Sequence, residues 1–435
     1  MKNLRWVHTA GLAAVTVVMA FVLLHYTDLL YKFQALSSID GGLKCLFVPG
    51  GLLTFLGSAF AGLCKWPVLG GVLFIVVLAA LAALLVFGFR GQGRLAFLGV
   101  LPSVLLFLFV TRLGYRIYAL NGAVLFSQAL GLLLSALLLV WMRRAERLDF
   151  AVLAVIVGYA LLGFYALLPA LVFAVRKPYV LVAAVLVPVV YWVPAGGEFL
   201  TCWLAGTPAG ALDFGGLWPL VAAWMVFIGS SLSLKDDKEM NWAWLVPALA
   251  VYAICIWSAF EMPYRWGLFH RQLAAERYLE EGRWNEALEA CTASKVTNDV
   301  LIAYRNAALF GMGRLEEDCL RYSFTIDQSE QPGYEESLRL AGPTVYYHCG
   351  LYDLCAECCR VINACIAPAN ERNRLLEMSL SRAAGMQPSE SEDFMSVNDL
   401  PSSAPDMVLR YYATASDLAP ELAPWHIVAK SISLY

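Results

Sequence analysis

Through the first 260 residues, apolar stretches of about 20 residues, the length needed to cross a lipid bilayer, follow one another closely, and near Phe260 they stop. Between Trp242 and Ala287 the last of them gives way to Glu261-Met-Pro-Tyr-Arg-Trp266 and then to charged, helix-patterned sequence. With 60% hydrophobic and 15% charged residues the chain is far more apolar than a soluble protein, which carries about 25% charged residues. Charge divides at the same place: 16 Lys+Arg against 9 Asp+Glu up to Phe260, and 15 against 25 beyond it. Two all-α domains are expected, a polytopic transmembrane bundle over residues 1–260 and a water-soluble one over residues 261–435.

About nine candidate spans centre on Val17, Thr54, Val77, Leu105, Leu130, Gly163, Val185, Ala223 and Ala250. Lys2 and Arg5 precede an apolar run from Val7 to Leu24 that continues past Tyr26 without a small-residue cleavage site, so it reads as an uncleaved first span with a cytoplasmic amino terminus. The second candidate, residues 44–64, begins Lys44-Cys-Leu-Phe-Val-Pro-Gly-Gly51 and could either span or re-enter. If it spans, the cytoplasmic side collects nine basic residues, Lys2, Arg5, Lys65, Arg112, Arg116, Arg176, Lys177, Lys235 and Lys238, against seven outside. If it does not, the tally inverts. The first reading sends the carboxy-terminal domain outside, to the periplasmic face of a bacterial inner membrane, although it also puts Arg143-Arg144-Ala-Glu-Arg147 outside, where basic clusters are disfavoured. Tyr191-Trp192, Trp203, Trp242, Trp244, Trp257, Tyr264 and Trp266 fall at span ends, as an interfacial aromatic belt would; a stacking platform for a sugar or headgroup is the functional alternative.

In the soluble half, Ala274, Ala275 and Tyr278 share a helical face, Gly282 closes that helix, and Trp284, Ala287, Leu288 and Cys291 form the facing stripe of the next. The turn recurs at Gly313-Arg-Leu315 and Gly350-Leu-Tyr352, 31 and then 37 residues on, bracketing the tetratricopeptide (TPR) period of about 34. Tyr346 precedes its glycine by four residues, as Tyr278 does, and Ala287 and Cys355 each follow theirs by five, where paired helices cross closely. These residues are expected to be buried in a TPR-like α-solenoid with no sheet of consequence. Cys355-Ala-Glu-Cys358-Cys359 is read first as core packing, with a disulfide or a metal as alternatives, since a zinc site needs matched ligand pairs. Beyond a helix from Asn370 to Ala384, a polar Pro/Ser-rich loop near residues 387–406 precedes two short helical patterns, Met407 to Ala415 and Pro424 to Ile432.

Pro49-Gly50-Gly51-Leu52, Arg283-Trp284-Asn285 and Asn306-Ala-Ala-Leu309 followed by Gly313-Arg-Leu315 resemble the corresponding stretches of an uncharacterised bacterial family of multi-pass membrane proteins with TPR-like carboxy-terminal regions. That family tends to carry an acidic residue followed by Gln in its first loop, where this chain has Lys32-Phe33-Gln34. The resemblance implies an architecture and no activity.

Chemistry is sparse. The five histidines are scattered without the i, i+4 pair of a helical zinc site, and phosphate-loop and nucleophile-elbow motifs are absent. No cofactor and no nucleic acid are expected. The preferred reading is a non-enzymatic envelope scaffold in contact with membrane lipid, its repeats presented to a protein partner. A lipid-phosphate-sugar-dependent membrane glycosyltransferase is the alternative, with Asp28 or Asp40 as general base or metal ligand and Arg112 or Arg116 gripping phosphate. A transporter is third, because ionisable residues at mid-span are nearly absent and His25 is the one candidate.

Overall fold

The long runs of the apolar half bury their backbone amides most simply by pairing them within a helix. In the computed structural model that half is helical: α1 (Lys2–His25), α2 (Thr27–Ala35), α3 (Gly51–Gly62), α4 (Pro67–Ala83), α5 (Leu101–Thr111), α6 (Val124–Ala145), α7 (Leu148–Leu162), α8 (Leu167–Ala174), α9 (Tyr179–Ala195), α10 (Phe199–Trp203) and α11 (Phe214–Leu232). The structure describes residues 2–25, 27–37, 42–88, 98–145, 148–195, 199–232, 250–255, 257–258, 267–318, 321–322, 325–326, 331–349, 351, 355, 358–359 and 362. By length and composition four stretches could cross a membrane as helices: Pro67–Phe87, Val124–Arg144, Phe150–Ala174 and Phe214–Leu232. Shorter apolar helices are Gly11–Phe21, Gly51–Lys65, Leu101–Thr111 and Tyr179–Val193.

The chain divides into two units, the first made of Met1–Leu113 and Leu120–Pro263, the second of Gly114–Ala119 and Tyr264–Tyr435. The short second-unit segment interrupts the apolar sequence between α5 and α6, and nothing in its composition marks it out. Within the first unit, α5 packs along α11, α3 on α6, α1 on α4, and α8 on both α6 and α9. Small residues set the close approaches. Leu23 and Leu30 lie over Gly71, and Gly57 meets Ala123 and Ser127. The stretch Phe150–Ala174 is not one straight helix, because Gly163 takes φ +58 and a Cβ on Gly158 would stand 3.0 Å from that of Ala166. Eight residues along a straight helix would separate them by about 12 Å. The chain therefore reverses direction at Gly163.

The second unit contains α12 (Leu268–Glu280), α13 (Trp284–Thr292), α14 (Asp299–Gly311), the single turn α15 (Leu315–Asp318) and α16 (Tyr334–His348). Two-residue strands at Val296–Thr297 and Thr325–Ile326 pair in parallel, the one sheet among the described residues. Leu268, Ala275, Leu279, Ala287, Cys291, Val300, Leu301, Tyr304, Ala307, Ala308, Ala341 and Val345 form one core shared by four helices.

Three of its turns close alike. Arg283 N donates to Tyr278 O at 2.8 Å, Arg314 N to Leu309 O at 2.9 Å, and Leu351 N to Tyr346 O at 3.0 Å, each the six-to-one bond of a Schellman cap. Gly282 and Gly313 supply the left-handed residue at φ +70 and +67.

Candidate functional site

Gly114–Ala119 is a 3-10 helix whose aromatic side chains are among the most buried of the second unit. Tyr115 packs edge-on against Phe269 and Tyr334, with ring centroids 5.0 and 5.3 Å away. Its hydroxyl accepts from Asn298 Nδ2 at 2.9 Å, and Gln272 Nε2 donates to Tyr118 Oη at 3.2 Å. Asn298 also caps α14, its Oδ1 accepting from Leu301 N at 2.8 Å, so the helix start and the inserted segment share one side chain. Gly333, at φ +86, lies so close to the Tyr115 carbonyl that no Cβ fits. Burial, with Glu276 nearby, pushes the Tyr118 phenol well above its ordinary value, so it stays a neutral hydrogen-bonding group. Burial likewise raises the Asp299 carboxyl, against the pull of the Tyr334 hydroxyl. This polar seat is a fastening, with its bonds made among protein groups.

The repeat residues read from the sequence fall around the shared turns. Ala287, Tyr346 and Cys355 are buried, whereas Tyr278 and Trp284 are only partly so. Arg283 covers the Tyr278 ring at 4.6 Å, and Trp284 lies over Gly311 and edge-on to His348. Both aromatics pack against the edge of the shared core from positions near helix ends. Gly350 and Tyr352 lie outside the described residues. Five residues past the middle turn, where Ala287 and Cys355 follow the other two, stands Asp318, buried between Arg314 and Arg321. Cys45, Cys64, Cys202, Cys255, Cys291 and Cys349 are thiols, and burial pushes Cys291 and Cys349 up to about 12. Cys355 Sγ donates to Pro343 O at 3.3 Å, which agrees with a packing role.

In the first unit three glycine turns converge. Gly50 (φ +79), Gly163 (φ +58) and Gly206 (φ +82) meet backbone to backbone, and Phe164 N donates to Ala205 O at 2.9 Å. Tyr165 donates to Gln128 Oε1, its ring lies on Gly131, and Ser135 donates to the Tyr165 carbonyl. Pro49-Gly50-Gly51 was legible as part of a segment that could re-enter; of its partners, Gly163 was hidden as an isolated glycine in apolar sequence and Gly206 as one of several glycines in a turn-rich connection.

Asp28 stands in the first turn of α2, four residues before the buried Lys32, and Asp40 lies outside the described residues. Arg112 stacks on Trp218 at 5.7 Å and donates to Ser258 Oγ at 3.2 Å, so its guanidinium is already engaged within the first unit. Arg116 belongs to the second unit. Among the described residues no group of three His, Cys, Asp or Glu could hold a metal.

Compared with known families, residues 2–379 match the model of a family of unknown function. No curated protein and no solved structure matches the chain.

Proposed function

The chain belongs to that family, DUF6057, and on this premise we propose that it is an integral membrane protein whose second unit is a TPR-like repeat module presented to a protein partner. Support for the membrane comes from what the first unit leaves uncovered: Phe21, Val193 and Met225 are 70%, 71% and 67% exposed on its helices. Each large apolar side chain left in water forgoes about 1.5–3 kcal/mol, which lipid supplies.

Repetition of one turn geometry carries the interaction reading. Phe310 and Tyr347 stand in the same register, three residues before the second and third turns, and both remain exposed. Equivalent positions of stacked repeats line one edge, and on this reading the two rings present an aromatic ridge that begins at the second turn, the first turn's equivalent, Leu279, being buried. A partner with an apolar helix or extended segment fits that ridge.

The test uses the full chain in mild detergent. A Phe310→Ala/Tyr347→Ala variant should lose a co-purifying protein that the parent and the Asp28→Asn and Asp40→Asn variants retain, with membrane abundance unchanged. Retention of that protein by the double variant would remove the ridge from consideration. A changed surface glycan profile in either Asp variant would make the protein an enzyme.

A further inference from the structure

Contacts at the helix ends sort the first unit's connections onto two sides. At one end Arg112 holds Trp218, near the start of α11, and Ser258, near the exit of the unit. Gly122, at the start of α6, donates from its backbone to Leu36 O at 3.0 Å, and Gly71, at the start of α4, meets Leu23 at the end of α1. At the other end Arg143 Nη2 donates to Ser231 O at 2.8 Å, joining the last turns of α6 and α11. Trp141 and Phe150 touch across the α6–α7 connection there, with ring centroids 6.3 Å apart.

Two segments do not behave as single spans. After the reversal at Gly163, α8 runs parallel to α6: Tyr165 lies at Gly131 and Ser135, and Arg176 is near enough to Arg143 to interact with it electrostatically. The α8–α9 connection is thus at the Arg143 end, where α7 began. From there α9 runs back, so that Tyr191 meets Tyr159 close to the reversal. The other segment is α3. A crossing would carry one of its ends to the Arg143 end, yet Gly50 meets Gly206, whose carbonyl accepts from Gln128 in the second turn of α6. Its middle sits on Ala123, and Cys64, two residues past its end, lies against Gly70 at the start of α4.

We infer that residues 148–177 enter the membrane and return to the side they left, that α3 lies across one end of the bundle without crossing, and that the second unit is on the non-cytoplasmic side. This rests on the membrane reading above and not on the presence of a protein partner. The connections at the Arg143 end then carry eleven basic residues: Lys2, Arg5, Arg90, Arg94, Arg143, Arg144, Arg147, Arg176, Lys177, Lys235 and Lys238. The opposite end carries five, Lys32, Lys44, Lys65, Arg112 and Arg116. The excess marks the Arg143 end as cytoplasmic.

This corrects the layout expected from span counting, which set Arg112 and Arg116 on the side opposite the carboxy-terminal domain. Gly114–Ala119 and Tyr264–Tyr435 form one folded unit and must share a side, so the chain makes an even number of crossings between them. The reversal at Gly163 supplies the crossing that span counting missed, and it moves Arg143-Arg144-Ala-Glu-Arg147 to the cytoplasm, where basic clusters belong.

Short epitopes placed in the full chain after Arg147, after Lys177 and after Tyr435 test this in sealed right-side-out vesicles. The Tyr435 epitope should be reached by antibody directly, and the other two only after permeabilisation. Epitopes after Arg147 and Lys177 on opposite faces would overturn the return of residues 148–177. A Tyr435 epitope on the same face as that after Lys177 would overturn the placement of the second unit. If an epitope prevents accumulation, Arg147→Cys and Lys177→Cys are read with a membrane-impermeant maleimide as label gained over the parent chain, with the same two outcomes. Release of the chain from membranes by alkaline carbonate would instead sink the membrane reading, and this placement with it.

Discussion

The converging glycines of the first unit and the helix-turn glycines of the second serve different ends. In the first, Gly50, Gly163 and Gly206 stand where three irregular segments press backbone against backbone, so each needs both its positive φ and its missing Cβ. In the second, the turn glycines Gly282 and Gly313 have positive φ with nothing within 4 Å of a built Cβ, while Gly333, pressed on the Tyr115 carbonyl of the inserted segment, is packed as closely as those of the first. The contrast follows from the surroundings. Irregular backbone in an apolar setting must be covered by other protein, whereas a turn in water can leave its remaining carbonyls to solvent.

The largest expected effect breaks this comparison if it fails. Gly163→Ala should destabilise the first unit by about 4 kcal/mol, combining left-handed strain with overlap on the Ala205 carbonyl. Gly282→Ala should cost the second unit only about 1 kcal/mol, since strain acts there alone. Thermal unfolding of the detergent-solubilised chain, followed by size-exclusion and by local hydrogen exchange, separates the two. Equal losses would show that packing adds nothing to the Gly163 turn.

Next in size is Tyr115, which makes the second unit depend on sequence lying between two apolar helices. Tyr115→Ala removes a buried ring and should cost about 3 kcal/mol, while Tyr115→Phe keeps the ring, leaves the Asn298 amide with only its longer bond to Gln272 Oε1 and should cost about 1 kcal/mol. Hydrogen exchange over α12 and α14 should rise in that order, with the first unit's helices unchanged. If α12 keeps its protection in Tyr115→Ala, the inserted segment is a passenger on a unit that folds without it.

Legibility in the sequence followed the range of the interactions. The three turns were visible because a Schellman cap is local: glycine, the residue after it and the carbonyl five residues back lie within one short window. Helical character was equally legible, from periodicity alone. Gly114-Tyr-Arg-Ile-Tyr-Ala119 reads as an ordinary loop between apolar stretches, and its place in the second unit depends on Phe269, Gln272, Asn298 and Tyr334, all more than 150 residues away. The reversal at Gly163 was concealed differently. An unbroken apolar run satisfies the length rule for one span whether or not the chain turns within it, and the cases are told apart by contacts such as that of Gly158 with Ala166 and by the positive φ of Gly163.

The smallest effect sharpens the contrast on its electrostatic side, because Asp299 in the second unit is a partly buried carboxyl at the start of α14. Burial raises its pKa above the ordinary 3.8, and the Tyr334 hydroxyl opposes this only weakly across 3.5 Å. A folded-state pKa above the unfolded one means the folded chain holds the proton more tightly. The resulting stability is therefore full below about pH 4 and lost as pH rises through the folded value. Asp299→Asn abolishes the titration, so burial alone predicts a variant more stable than the parent at neutral pH, with a difference that narrows as pH falls toward 4. A competing effect runs the other way, since a charged carboxylate in a first helical turn gains about 0.3–1 kcal/mol from the backbone dipoles. Hydrogen exchange over residues 299–311, compared between variant and parent at each pH, decides which wins. Greater protection of the parent at neutral pH would mean that the helix end, and not burial, governs this carboxyl.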